Sequence, residues 1–166
     1  MTELLNLLRQ ARVFDLAQPY FVGMPHHPVH PPFLFSLSKK HGEFVIAGGA
    51  SSAAEAIALG GHVGTHIDAL CHFSREGKLH GGVEAASVQS YSEGLKHASV
   101  DTIAPIFRRG VLLDVAGQQG VEALAVDFTV TPEHLEAAVA AEGVAIERGD
   151  VVLLRTGWAR YWNDPG

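Results

Sequence analysis

The segment Gly60-Gly61-His62-Val63-Gly64-Thr65-His66-Ile67-Asp68-Ala69-Leu70-Cys71-His72 constrains this chain more than any other. Three histidines and an aspartate fall within eleven residues, with glycines between and before them. In a straight strand His62 and His66 would point to one face about 13 Å apart, too far to share one ion through bonds of about 2 Å. If they share an ion, the chain must bend between them. Gly64 permits the bend, and Gly60-Gly61 lets the backbone enter it. His66 and Asp68, two residues apart, share a face. The expected ligands are therefore His62, His66 and Asp68 on one divalent ion. His72 follows one helical turn later, beside the ion, as a general base that takes a proton from activated water and returns it to a leaving nitrogen. Imidazole and carboxylate donors suit zinc or manganese, with no sulfur required. Each histidine read alone is a surface or core residue, and the spacing argues against four such coincidences. Cys71 reads as a small buried side chain rather than a thiol nucleophile, since it faces away from its neighbour and has no second base.

Composition fits a globular domain. The 166 residues are 47% hydrophobic and 18% charged, enough for one domain, residues 1–166, with a core. The net charge of −6 argues against nucleic acid or an anionic membrane as partner. One cysteine precludes an internal disulfide and fits a reducing, cytoplasmic setting. No apolar run reaches the roughly 20 residues of a membrane span, and the first residues lack the pattern of a signal peptide.

The pattern along the chain is mixed α/β. Thr2 can cap a first helix whose Leu4, Leu5, Leu8 and Ala11 form a buried stripe. Residues 13–16 read as a short strand. Residues 19–32 hold five of the eight prolines, with His26, His27, His30 and Met24. Such a stiff loop suits the wall of a pocket, here over the metal site of its own or a neighbouring subunit. It equally suits a surface loop with exposed imidazoles. Strands are expected over 33–37, 44–47 and 53–59, the last despite its alanines because Glu55, Ile57 and Leu59 alternate. Helices are expected over 69–75 and 99–107. Residues 111–115 and 151–155 read as interior strands. Thr131-Pro132-Glu133 starts a helix that runs to Glu142 and stops at Gly143. Phe33, Phe35 and Trp158 line either an aromatic-accepting pocket or the core.

His62-Val63-Gly64-Thr65-His66-Ile67-Asp68 followed by His72 resembles the signature of the metal-dependent cyclase-like hydrolases, which include bacterial kynurenine formamidase and isatin hydrolase. Phe14-Asp15-Leu16, Gly23-Met24-Pro25, Gly110 to Val115 and Gly149 to Trp158 extend the likeness in the right order. The resemblance implies a swivelling β/β/α fold and a homo-oligomer, a dimer or a dimer of dimers. It implies hydrolysis of a C–N bond in a formamide or cyclic amide, or of a lactone, with small-molecule substrates. It assigns the metal to His62, His66 and Asp68, with one or two ions, and the catalytic role to His72. Leu70 departs from the proline usual in the signature, which points to a subgroup with another substrate. The family continues beyond the equivalent of Gly166 with a further histidine and a glutamate near the site. The chain is therefore expected to lack the C-terminal part of the fold. The competing class is a non-catalytic metal-binding or scaffold relative. His72 argues against it, because a binding site needs no base one turn beyond its ligands. Dehydration or cyclisation at the same metal is chemically close, since it also needs a Lewis acid and a base.

Overall fold

The computed structural model describes residues 2–163, with side chains from residue 5 onward. The chain divides into two compact units, Met1–Thr65 and His66–Gly166.

In the first unit, helix α1 spans Thr2–Gln10. The side chains of Thr2 and Leu4, expected as cap and buried position, lie outside the described residues. The expected buried stripe is not covered: Leu5 is 48% and Leu8 52% exposed. Residues 13–16 form no strand. Asp15 Oδ1 instead accepts the Ala17 N–H at 2.9 Å, a local turn that competes with ladder pairing. Strand β1, Leu34–Lys39, pairs antiparallel with β2, Ala54–Ala58. Leu34 lies opposite Ala58 and Phe35 opposite Ile57, with a register shift between Leu37 and Lys39. The strand expected over 44–47 reduces to one bridge, Val45 to Ser51. Gly48 and Gly49, with φ of 86° and 81°, turn the chain back at once; glycine adopts that conformation at little cost. The proline-rich loop has no regular structure, as expected, and is organised by turns such as His30 N–H to His27 O at 2.9 Å. Met24 and Phe33 are buried beside and within it.

The second unit is built on a parallel pair, β5 at Gly110–Leu113 and β6 at Val151–Leu154, with Gly110 opposite Val151 and Leu113 opposite Leu154. Helix α3, Pro132–Glu142, has the expected ends. The Thr131 N–H is bonded to His134 Nδ1 at 3.0 Å, and Gly143 terminates the helix at φ 62° in the left-handed conformation that favours glycine there. Val111, Leu113 and Ala138 pack together with Leu135 and Val139. Side chains in β5 alternate, so Val111 and Leu113 are buried while Leu112 is 52% exposed. Of the two strands expected to be interior, β5 is thus buried on the α3 side only, and β6 has no buried residue: Val151 is half-buried, and Val152, Leu153 and Leu154 are exposed. β5 ends two residues earlier than expected because Asp114 Oδ1 accepts the Gly117 N–H at 2.7 Å and caps helix α2, Val115–Gln118. Val115 and Ala116 are fully buried with Leu124, flanked by Phe128 and Val130.

Two expected helices are absent. Over 99–107 there is one 3-10 turn, Val100–Thr102. Pro105 lacks an N–H and drives the residue before it from helical geometry. Over 69–75 there is a single turn, His72 N–H to Ala69 O at 2.9 Å. Arg75 then bridges to Lys78 around Glu76 and Gly77, both at positive φ, which no helix can propagate. A small hairpin, β3 Gln89–Ser90 with β4 Gly94–Leu95, was not expected. No helix among the described residues is long and apolar enough to cross a membrane.

An ion pair ties the entries of β5 and β6. Arg109 donates to both Asp150 oxygens, at 3.0 and 2.6 Å, and to Ala145 O at 2.8 Å. Asp150 Oδ2 also accepts the Glu147 N–H at 2.7 Å. Arg109 first, and then the Glu147 N–H, hold the Asp150 carboxyl at about 2. A carboxyl depressed in the folded state favours folding above its unfolded pKa of about 3.9 and loses that contribution as pH falls through the folded value. The melting temperature is therefore expected to fall between about pH 4 and about pH 2. Asp150→Asn should flatten that slope while lowering the melting temperature at neutral pH. An unchanged acid slope in this variant, measured by circular dichroism, would remove Asp150 from the account.

Candidate metal centre

The start of the motif is held by the proline-rich loop of the same unit. The Gly60 N–H donates to Pro31 O at 3.4 Å. A Cβ on Gly60 would lie 3.3 Å from both His30 Cβ and Pro31 Cδ, so glycine allows this close approach. The Tyr20 hydroxyl lies 3.1 Å from Val63 O and 2.9 Å from Thr65 O and donates across the bend. The Gln18 N–H donates to Thr65 Oγ1 at 2.8 Å. Val63 is buried and anchors the bend, which is made at Gly64 with φ 58°. This is the position where the spacing of the histidines required one. His30 packs edge to face on His62, with centroids 5.6 Å apart and planes at 77°. The proline-rich loop therefore lies against the motif of its own chain.

Along the segment 62–72, one ligand atom each from His62, Asp68 and His72 lie within 4.8 Å of one another. His62 is half-buried, and Asp68 and His72 are exposed. The bend at Gly64 and the turn ending at His72 fold the segment back on itself, where an extended chain would spread these groups apart. The donor set fits a divalent ion of the zinc or manganese type: two imidazoles and a carboxylate, with no thiolate. Cys71, adjacent to His72, is 6% exposed and outside this group. Tetrahedral coordination at about 2.1 Å puts donor atoms about 3.4 Å apart, within reach of small side-chain rotations. His66 lies exposed on the same segment and is not in the group of three. The structure thus gathers three of the four expected site residues.

Tyr20 and His30, with Gln18 and Pro31, contribute from outside the motif. Tyr20 carries no signal in spacing, since it acts through its hydroxyl on backbone carbonyls more than 40 positions away. His30 was visible only as one of three histidines in a stiff loop. Trp158, a candidate for a pocket wall or the core, is exposed and lines a cavity with Glu122, Arg155 and Arg160, and it donates its indole N–H to Leu124 O at 3.0 Å.

The family described as "Cyclase: Putative cyclase" matches residues 14–166. A solved structure described as that of a novel cyclase is similar to this chain with a TM-score of 0.83 and 25% identity. The alignment covers 99% of this chain and 56% of that one, so the chain spans little more than half the length of that relative. No curated protein matches the sequence. With its mixed α/β fold, its small sheets and its histidine- and aspartate-bearing bend, the chain belongs to the cyclase family.

Proposed function

We propose that this chain carries the metal centre of a metal-dependent hydrolase that cleaves the C–N bond of a formamide or cyclic amide, or opens a lactone. The observation that supports the reading most is the convergence of His62, Asp68 and His72 within 4.8 Å on a bent, buttressed segment. When bound, a zinc or manganese ion supplies Lewis acidity and lowers the pKa of water from 15.7 to about 7. His62, His66 and Asp68 are the proposed ligands, with His66 turning in from its exposed position when the ion binds. His72 is the proposed acid/base. Its imidazole accepts the proton of the attacking water as the water oxygen bonds to the carbonyl carbon. It then returns that proton to the nitrogen as the C–N bond breaks. The exposure of His72 keeps its ring open to substrate.

Metal analysis of the purified protein, followed by hydrolysis assays on N-formyl aromatics, cyclic amides and lactones, tests the reading. A divalent ion is expected with the protein, and chelation should abolish hydrolysis of at least one class until the ion is restored. A protein that holds the ion firmly and hydrolyses none of them would be a non-catalytic metal-binding member of the family.

A further inference from the structure

We infer that His30 is a positioning residue for the metal centre: its ring sets the orientation of the His62 imidazole before the ion arrives. The inference rests on the metal reading above. A histidine ligand is useful only if its ring presents a nitrogen to the ion, and a ring free to rotate must be ordered when the ion binds. The His62 ring is not left to solvent. His30 packs against it edge to face at 5.6 Å and 77°, within the range in which aromatic rings attract.

His30 is itself immobilised. Its N–H closes a turn on His27 O at 2.9 Å, and its ring lies 5.3 Å from that of His27. Prolines at 28, 31 and 32 restrict the backbone on both sides. The next residue, Pro31, accepts the Gly60 N–H, two positions before His62. The absence of a side chain at Gly60 lets His30 and Pro31 close on that backbone, since a Cβ there would lie 3.3 Å from both His30 Cβ and Pro31 Cδ. The loop thus grips both the backbone leading to His62 and the His62 ring. Pre-organisation of this kind lowers the cost of ordering a ligand and so raises affinity. The ring of His30, rather than its charge, is the working part.

The test compares His30→Ala, which removes the ring, with His30→Phe, which keeps an aromatic ring in its place. Zinc affinity is measured by competition with a chromogenic chelator, and cobalt(II) is used as a spectroscopic probe of ligand geometry. His30→Ala should weaken zinc binding about 10- to 100-fold, as loss of a group that orients a ligand does, and should change the cobalt visible spectrum. His30→Phe should return both toward wild type. A merely structural loop residue would lower the melting temperature without changing the cobalt spectrum. Wild-type affinity and spectrum in His30→Ala, or a Phe variant as defective as the Ala variant, would overturn the positioning role while leaving the metal site standing. Failure of the wild-type protein to bind zinc or cobalt at all would overturn both.

Discussion

Replacing His72 by alanine is expected to lower turnover on the hydrolysed substrate by about 10²- to 10⁴-fold, the usual contribution of a positioned acid/base, while the protein keeps its metal. The same substitution separates two roles that geometry leaves adjacent. His72 lies within 4.8 Å of the His62 and Asp68 donor atoms, close enough to serve the ion's water or to bind the ion itself. A base acts on a proton, so its removal slows the reaction at constant metal content. A ligand holds the ion, so its removal empties the site and abolishes activity together. His62→Ala and Asp68→Asn provide the comparison, since both are expected to lose metal and activity in parallel. A His72→Ala protein stripped of metal would reassign His72 to the ligands. Full activity with full metal would remove it from the chemistry.

Gly157→Ala is expected to be among the most destabilising single substitutions in the second unit. Gly157 has φ 83°, left-handed backbone that a Cβ disfavours. A Cβ built there falls on the carbonyl oxygen of Glu122 and within 2.6 Å of Ala123 Cα. Neither strand of chain can yield freely. The Leu124 N–H donates to Thr156 O at 2.9 Å, and the Trp158 indole N–H donates to Leu124 O, so the two segments are bonded on either side of the contact. Backbone strain costs about 1–3 kcal/mol, and overlap in a packed site costs a similar amount, about 1–3 kcal/mol. Gly149→Ala is the control. Gly149 has φ 95° but nothing within 4 Å of its would-be Cβ, so it should show the backbone cost alone. Urea unfolding of the two variants measures the difference, and equal stability would refute the steric argument.

The parts of this protein legible in its sequence are those whose cause lies within a few residues. Helix α3 was readable from end to end, because Thr131, Pro132 and Gly143 each act on the backbone beside them. The cores of β1, β2, β5 and β6 followed from short apolar or alternating runs. The bend at Gly64 followed from the reach of a histidine pair. Local reading failed where a nearby feature outranked the periodic pattern: Asp114 capping a helix inside an apolar run, Pro105 cutting a helix to one turn, and Glu76-Gly77 turning the chain after His72. Each of those signals was present in the sequence, but pattern alone did not rank them. Other features were decided only by tertiary structure. Tyr20 reaches the motif across 43 and 45 positions, and His30 meets His62 through ring packing. Among the described residues, Asp68 and His72 join His62 in a group whose donor atoms lie within 4.8 Å of one another, and His66, equally placed by spacing, is not part of that group. Spacing along a chain fixes which side chains can share a face. Which of them meet depends on backbone dihedrals at the bend and on the loop that clamps it, and those are set by contacts between residues far apart in sequence.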